Sequence, residues 1–242
     1  CSSPPGAAPS SPPLDFSTSS GACTIWISSC AAPPIRSMIP RLLAISSPEA
    51  SPGPRWQRWC SELALTGVDG LQVRRKGVSD QELLTLASEA RAAGRFSLFV
   101  NGRLDIALAA QADGVHLPVT GLPVAEVRRA LRRQRQELLV GRSTHSPEEV
   151  RLARDQGADF AIFGPVFETP SKAGRITARG LAALAEAVAT GLPVVAVGGI
   201  DAKNAREVLE SGARGLAAIR WFEDPAAARA DIAALLGSWK RP

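Results

Sequence analysis

Three short stretches hold residue types that chemistry can use. "VGRSTHSPEEV", residues 140–150, carries His145, one of two histidines in the chain. An imidazole titrates near about pH 6.5, so it can lift and return a proton near neutrality. His145 also stands directly before a helix-capping signal, where packing in a turn is the plain alternative. "QVRRK", residues 72–76, sets Gln72, Arg74 and Lys76 at period two. On an extended strand they share one face, which suits an anionic substrate. If the strand has already ended, the same residues are merely solvated. "VAVGGI", residues 195–200, ends an apolar run on Gly198 and Gly199. Without Cβ atoms, their backbone can approach a phosphate closely, or simply make a tight turn.

These residues need elements to carry them. From residue 41 onward, short apolar runs alternate with longer amphipathic ones. The expected strands are 41–45, 70–74, 97–101, 114–117, 138–141, 160–163, 194–198 and 215–219. They are apolar without alternation, as parallel strands covered on both faces are. Helix starts fall between them. Ser79 to Glu82 has capping-box spacing. Ser146 with Pro147 and Glu149, and Asp224 with Pro225, repeat a cap-then-proline signal. Such units predict an α/β fold, a (β/α)8 TIM barrel in a single domain. An open doubly wound sheet would need a G-x-G-x-x-G at its first crossover, which is absent.

In a barrel, chemistry gathers where strands end. That rim holds Gln72, Arg74 and Lys76 after strand two, and Asn101 and Arg103 after three. Ser143, Thr144 and His145 follow strand five. Glu168, Thr169 and Lys172 follow six, Gly198 and Gly199 follow seven, and Arg220 follows eight. His116, near the end of strand four, reads as structural, because no acid stands nearby. Asp113 and Asp159 fall on the far rim, among what reads as mainly glycine turns, and Asp105 falls inside a helix. Glu168 is then the one rim carboxylate. Magnesium wants several hard oxygen ligands, so no metal is expected.

Composition narrows the classes. No apolar run approaches the roughly 18 residues of a membrane span. Of Cys1, Cys23, Cys30 and Cys60, only Cys60 lies in the part that reads as folded. The fold therefore needs no disulfide, which suits a cytoplasmic setting. The formal net charge is +5, much of it in "EVRRALRRQRQE", residues 126–137. That run reads as a solvated helix face. No aromatics interleave with it, so no nucleic-acid partner is expected. A mildly positive protein can attract small phosphorylated substrates. Residues 1–37 are rich in Ser, Pro, Ala and Gly and lack periodicity. They read as a disordered leader or upstream read-through before Met38, or as a segment lipidated at Cys1. The barrel is expected over 38–242.

Taken together, "LQVRRKGVSD", "VNGRLDIALAAQADGVHL", "GRSTHSPEEV", "ADFAIFGPVFETPSK" and "PVVAVGGI" resemble the thiamine phosphate synthase / thiazole tautomerase (TenI) superfamily. Synthases of that superfamily join a pyrimidine pyrophosphate to a thiazole phosphate, and two aspartates hold magnesium on the departing pyrophosphate. Here Gly102 and Gly121 stand at those two places. Gln72, Arg74, Lys76, Asn101 and Lys172 still match pyrophosphate-binding positions. "NGRLDIAL", "HLP", "GRSTHS" and "FGPVFET" look closer to the tautomerase branch. That branch aromatises a carboxythiazoline phosphate without a metal.

On that branch the resemblance implies an isomerase with His145 as base and no cofactor. Gly198 and Gly199 would bind phosphate, Arg74 and Lys76 would orient the carboxylate, and Ser143, Thr169 and Arg220 would complete the substrate pocket. Strand eight departs from the family in ending "AAIRWF", where Arg220 and Trp221 reshape the pocket. The expected partner is a small phosphorylated thiazole, with no membrane and with homo-oligomerisation left open. The alternatives are a thiamine phosphate synthase, with magnesium brought by the pyrophosphate, and a silent phosphate-binding homologue.

Overall fold

Eight apolar runs, most of them four residues long, are too short to stand alone, and each finds two parallel neighbours. The computed structural model describes residues 39–169 and 177–239. The strands are β1 (Leu42–Ile45), β2 (Gly70–Val73), β3 (Ser97–Asn101), β4 (Gly114–Leu117), β5 (Leu139–Thr144), β6 (Phe160–Phe163), β7 (Val194–Val197) and β8 (Gly215–Ala218). They pair in chain order, and β8 returns to β1 to close the barrel. The helices are α1 (Pro54–Ala64), α2 (Asp80–Ala93), α3 (Leu104–Ala109), α4 (Val124–Gln134), α5 (Pro147–Asp155), α6 (Gly180–Val188), α7 (Ala205–Glu210) and α8 (Pro225–Ser238). The segment 1–37, Met38 and Lys172 lie outside the described residues.

The expected caps form. Ser79 accepts from the Glu82 N–H, Ser146 from Glu149 and Asp224 from Ala227. Four strands end differently from the sequence reading, β7 and β8 each one residue early. β2 stops at Val73, because Ser46 takes over the edge there. Its hydroxyl accepts from the Arg74 N–H at 2.8 Å and donates to the Arg74 carbonyl at 3.0 Å. β5 runs on to Thr144, so Ser143 is a strand residue and not part of a loop.

Side chains of alternate residues fill the barrel: Leu43, Phe99, Leu139, Phe160, Ile162, Val195 and Ala217. Phe99 and Phe160 meet edge to face at 5.5 Å. Gly114 and Gly141 make the room. A Cβ on either would sit 2.5 or 2.4 Å from one of those rings. This plug is the floor beneath the rim where the strands end. A second apolar layer, including Leu71, Leu86, Val115, Val140 and Leu184, seals the helices onto the sheet.

The rim where strands begin carries the expected glycine turns, with Gly67, Gly157, Gly191 and Gly212 all at positive φ, and three aspartates beside them. Asp69 accepts from the backbone N–H groups of Arg41 and Leu42, Asp113 from Leu98, and Asp159 from Val140. Each carboxylate stands just before an even-numbered strand and grips the start of the preceding odd-numbered one. Asp113 and Asp159 also pair with Arg91 and Arg128.

Candidate active site

At the other rim, β2, β3, β4 and β5 deliver four polar side chains to one point. Inward parity carries Gln72, Asn101, His116 and Ser143 toward the barrel axis, above the two phenylalanines. Gln72 is fully buried and His116 nearly so. Gln72 Oε1 accepts from Asn101 Nδ2 at 3.1 Å and from His116 Nδ1 at 2.9 Å. With the Gln72 amide oriented so that its oxygen faces the ring, His116 carries its proton on Nδ1. Its Nε2 is then a bare lone pair, 3.0 Å from the Ser143 hydroxyl, which donates to it. Asn101 Nδ2, 3.2 Å from the protonated Nδ1, is a neighbour there and not a partner. Gln72 Nε2 is buried with no hydrogen-bond partner among the described residues. An open buried donor of that kind costs about 1–3 kcal/mol.

Burial holds the His116 imidazole neutral, and the positive Arg74 and Arg142 add to the effect, so its pKa falls to about 3. Arg74, just past β2, is itself pushed below the ordinary guanidinium range by burial. A desolvated cation of this kind attracts an anion more strongly than a hydrated one. Arg142 donates to the carbonyls of Val119 and Leu122, both at 3.0 Å, and so straps the loop after β4.

His145 is held separately. Its Nδ1 donates to the Gly164 carbonyl at the end of β6, and its backbone N–H to Glu149 Oε2 at 2.6 Å. The neutral ring therefore keeps its lone pair on Nε2. Gly198 and Gly199 have φ of 103° and 66°. Their lack of side chains is also required by packing. A Cβ on Gly198 would meet Pro165 at 2.6 Å, and one on Gly199 the Glu168 carbonyl oxygen at 2.7 Å. Asp201 and Asn204 close that loop on itself and place no side-chain cap on α7. Thr169 is buried, while Lys76 and Arg220 are exposed to solvent.

Sequence reasoning brought Gln72, Asn101, Ser143 and His116 to this rim but read His116, the residue that joins them, as structural. The signal for His116 was its register. It pairs directly with Asn101 across β3 and β4. Glu168 is also not alone on this rim. Asp80 and Asp105 stand in the first turns of α2 and α3. Both pair with Arg103, which holds their carboxyls below the ordinary range.

Among the described residues no three His, Cys, Asp or Glu side chains are grouped to hold a metal ion. Gly102 has φ of 75°, and a Cβ on Gly121 would crowd Pro118 at 3.0 Å. The two positions where the resemblance puts magnesium carboxylates therefore do not fit that role. Beside the mouth lies a cavity of about 590 Å³, bounded by Ile45, Ser47, Trp56, Trp59, Ile219 and Glu223. That is room for a small heterocycle.

The family model described as "Thiamine monophosphate synthase" matches residues 42–222, from the first strand to just past the last. The chain belongs to the thiamine monophosphate synthase family. Within that family it is 44% identical over 174 residues to the thiamine-phosphate synthase of Anaeromyxobacter dehalogenans, covering 69% of this chain and 77% of that protein. It is 37% identical over 179 residues to the thiamine-phosphate synthase of Halalkalibacterium halodurans, covering 72% and 82%. A solved thiamine phosphate pyrophosphorylase from Pyrococcus furiosus shares the fold with a TM-score of 0.71 at 29% identity, over 84% of this chain and all of that one. The family's barrel and this chain's closed barrel coincide. The tautomerase branch, which the wording of several segments favoured, is not the one these relatives are named for.

Proposed function

We propose that the chain is a thiamine phosphate synthase, a transferase that joins hydroxymethylpyrimidine pyrophosphate to thiazole phosphate. The observation that carries this reading is the match to relatives named for that activity, 37% to 44% identical across the barrel. In the reaction the carbon–oxygen bond to pyrophosphate breaks and a carbon–nitrogen bond to the thiazole forms. The mouth is divided in a way that suits it. Gln72, Asn101, His116 and Ser143 present a neutral, hydrogen-bonding surface for an uncharged ring. Arg74, partly desolvated, is placed for the leaving anion, and Lys76 adds charge from solvent.

Magnesium does not fit the residues at 102 and 121, and no step is assigned to it. A specific observation favours a second reading, metal-independent tautomerisation of a carboxythiazole phosphate. His145 Nε2 is left as a free base by the bond from Nδ1 to Gly164.

One assay separates the two. Purified protein is given the pyrimidine pyrophosphate with thiazole phosphate, and separately the carboxythiazoline phosphate. The proposal expects pyrophosphate release coupled to thiamine phosphate formation, with His145→Gln retaining most of it. Aromatisation that His145→Gln abolishes, without pyrophosphate release, selects the second reading. Turnover of neither substrate rejects both.

A further inference from the structure

Strand parity turns Arg142 out of the barrel, to the same side as Val140 and away from the mouth. It stands half-buried near the end of β5, where burial lowers its pKa and the Glu149 carboxylate works against that shift. Its donated bonds go to main-chain carbonyls, Leu122 from Nη1 and Val119 from Nη2, each at 3.0 Å. Burying a cation is costly unless it is well bonded. The loop after β4 shows what the bonds do. Residues 118–121 close a turn, with the Gly121 N–H donating to the Pro118 carbonyl at 2.8 Å. The Val119 and Leu122 side chains are 43% and 58% exposed, so apolar packing does not anchor that turn. The guanidinium fork grips it at two points instead.

The turn leans on the loop after β3. A Cβ on Gly102 would lie 3.6 Å from Pro118 Cδ, and the Gly102 N–H donates to the His116 carbonyl at 2.8 Å. The resemblance puts a magnesium carboxylate in each of these two loops, where one shared ion would draw them together. With Gly102 and Gly121 at those places, that tie is missing.

We propose that Arg142 is a positioning residue that takes over this tie: its fork holds the loop after β4 against the loop after β3 before any ligand arrives, so that this wall of the mouth is set by the protein and not by a metal ion. The effect on ligand binding rests on the reading that pyrophosphate enters this mouth, whereas the strap itself does not.

Hydrogen exchange at the Gly121 amide tests the strap in the full chain, with Arg142→Gln and Arg142→Lys. Lysine keeps the charge but lacks the planar fork that spans two carbonyls. In the wild type this amide should be protected without ligand, and adding magnesium with pyrophosphate should change its rate less than about threefold. Both variants should speed its exchange about tenfold or more, while the Val140 amide stays as slow as in wild type and shows the barrel intact. A lysine variant that exchanges like wild type would reduce Arg142 to a charge. A wild-type loop protected only when magnesium is present would make the ion the tie. Either result overturns the proposal.

Binding of inorganic pyrophosphate without magnesium tests the consequence. Both variants should bind it about three- to tenfold more weakly than wild type. Wild-type affinity in Arg142→Lys overturns the positioning role. If even the wild type binds no pyrophosphate while the exchange pattern holds, the reading of the mouth fails and the strap stands.

Discussion

Asp159 and His116 sit at opposite rims of the same barrel and do opposite work. Asp159 is a charged group whose valences are filled by the protein: the Val140 N–H at 2.6 Å and the Arg128 guanidinium. His116 is a neutral group at a mouth where Gln72 keeps an open donor and Ser143 keeps open lone pairs. The same contrast holds around each rim. At the strand starts, Asp69, Asp113 and Asp159 satisfy backbone N–H groups that neighbouring strands would otherwise leave open. At the strand ends, the polar groups satisfy one another only in part, and a desolvated arginine waits beside them. At one rim three aspartates are filled by the protein and hold the barrel shut, and the other rim is left reactive. That division separates stability from function in space.

The comparison can be broken where it is strongest. Asp159→Ala removes the carboxylate from Arg128 in a setting where the pair is 22% and 24% exposed, leaving it only the Gly157 and Leu138 carbonyls, and leaves the Val140 N–H without its acceptor. We expect a loss of roughly 2–3 kcal/mol in urea unfolding, with activity per folded molecule unchanged. A loss below about 0.5 kcal/mol would remove the clamp from the account.

The next effect comes from the reactive rim. His116 has a pKa of about 3 when folded, against about 6.5 when unfolded. Between those values the unfolded chain binds a proton that the folded chain refuses. Stability therefore falls as pH drops below about 6.5, by up to about 1.4 kcal/mol per pH unit, and this contribution is absent above that pH. Comparing wild type with His116→Asn in urea at pH 7 and pH 5 isolates it. The variant should lose that part of the acid slope.

A smaller effect sharpens the pattern at the strand starts. The place held by Asp69, Asp113 and Asp159 before β2, β4 and β6 is held before β8 by Arg214, whose side chain cannot accept. Its backbone N–H still donates to the Val194 carbonyl at 2.7 Å, as Asp159 does to Val140 at 2.9 Å. Arg214→Asp should supply an acceptor for the Val194 N–H and stabilise by about 1 kcal/mol. Destabilisation would show that the fourth position is built differently.

Much of this was legible in the residues. Each of the eight strands lies within three residues of its expected bounds, because an unbroken apolar run between glycine or proline signals has few other uses. Gln72 was placed by strand parity, and Asn101 and Ser143 by standing where strands three and five end. His116 was read as structural because the sequence shows no acid for it, and its partners are an amide and a hydroxyl from two other strands. Gly198 and Gly199 looked like ligand-binding glycines, but their packing against Pro165 and Glu168 depends on a loop that sequence alone does not bring there. The aspartate clamps were invisible for the same reason: each serves a strand that is at least 15 residues away in the chain.

The most direct test measures two properties on two variants. Pyrophosphate release and thermal midpoint are compared for Arg74→Gln, at the strand ends, and Asp159→Asn, at the strand starts. The account predicts that Arg74→Gln loses on the order of a hundredfold in kcat/KM at an unchanged midpoint, while Asp159→Asn keeps its turnover per folded molecule and melts several degrees lower. A fully active Arg74→Gln, or an Asp159→Asn that stays folded and loses turnover, would contradict it.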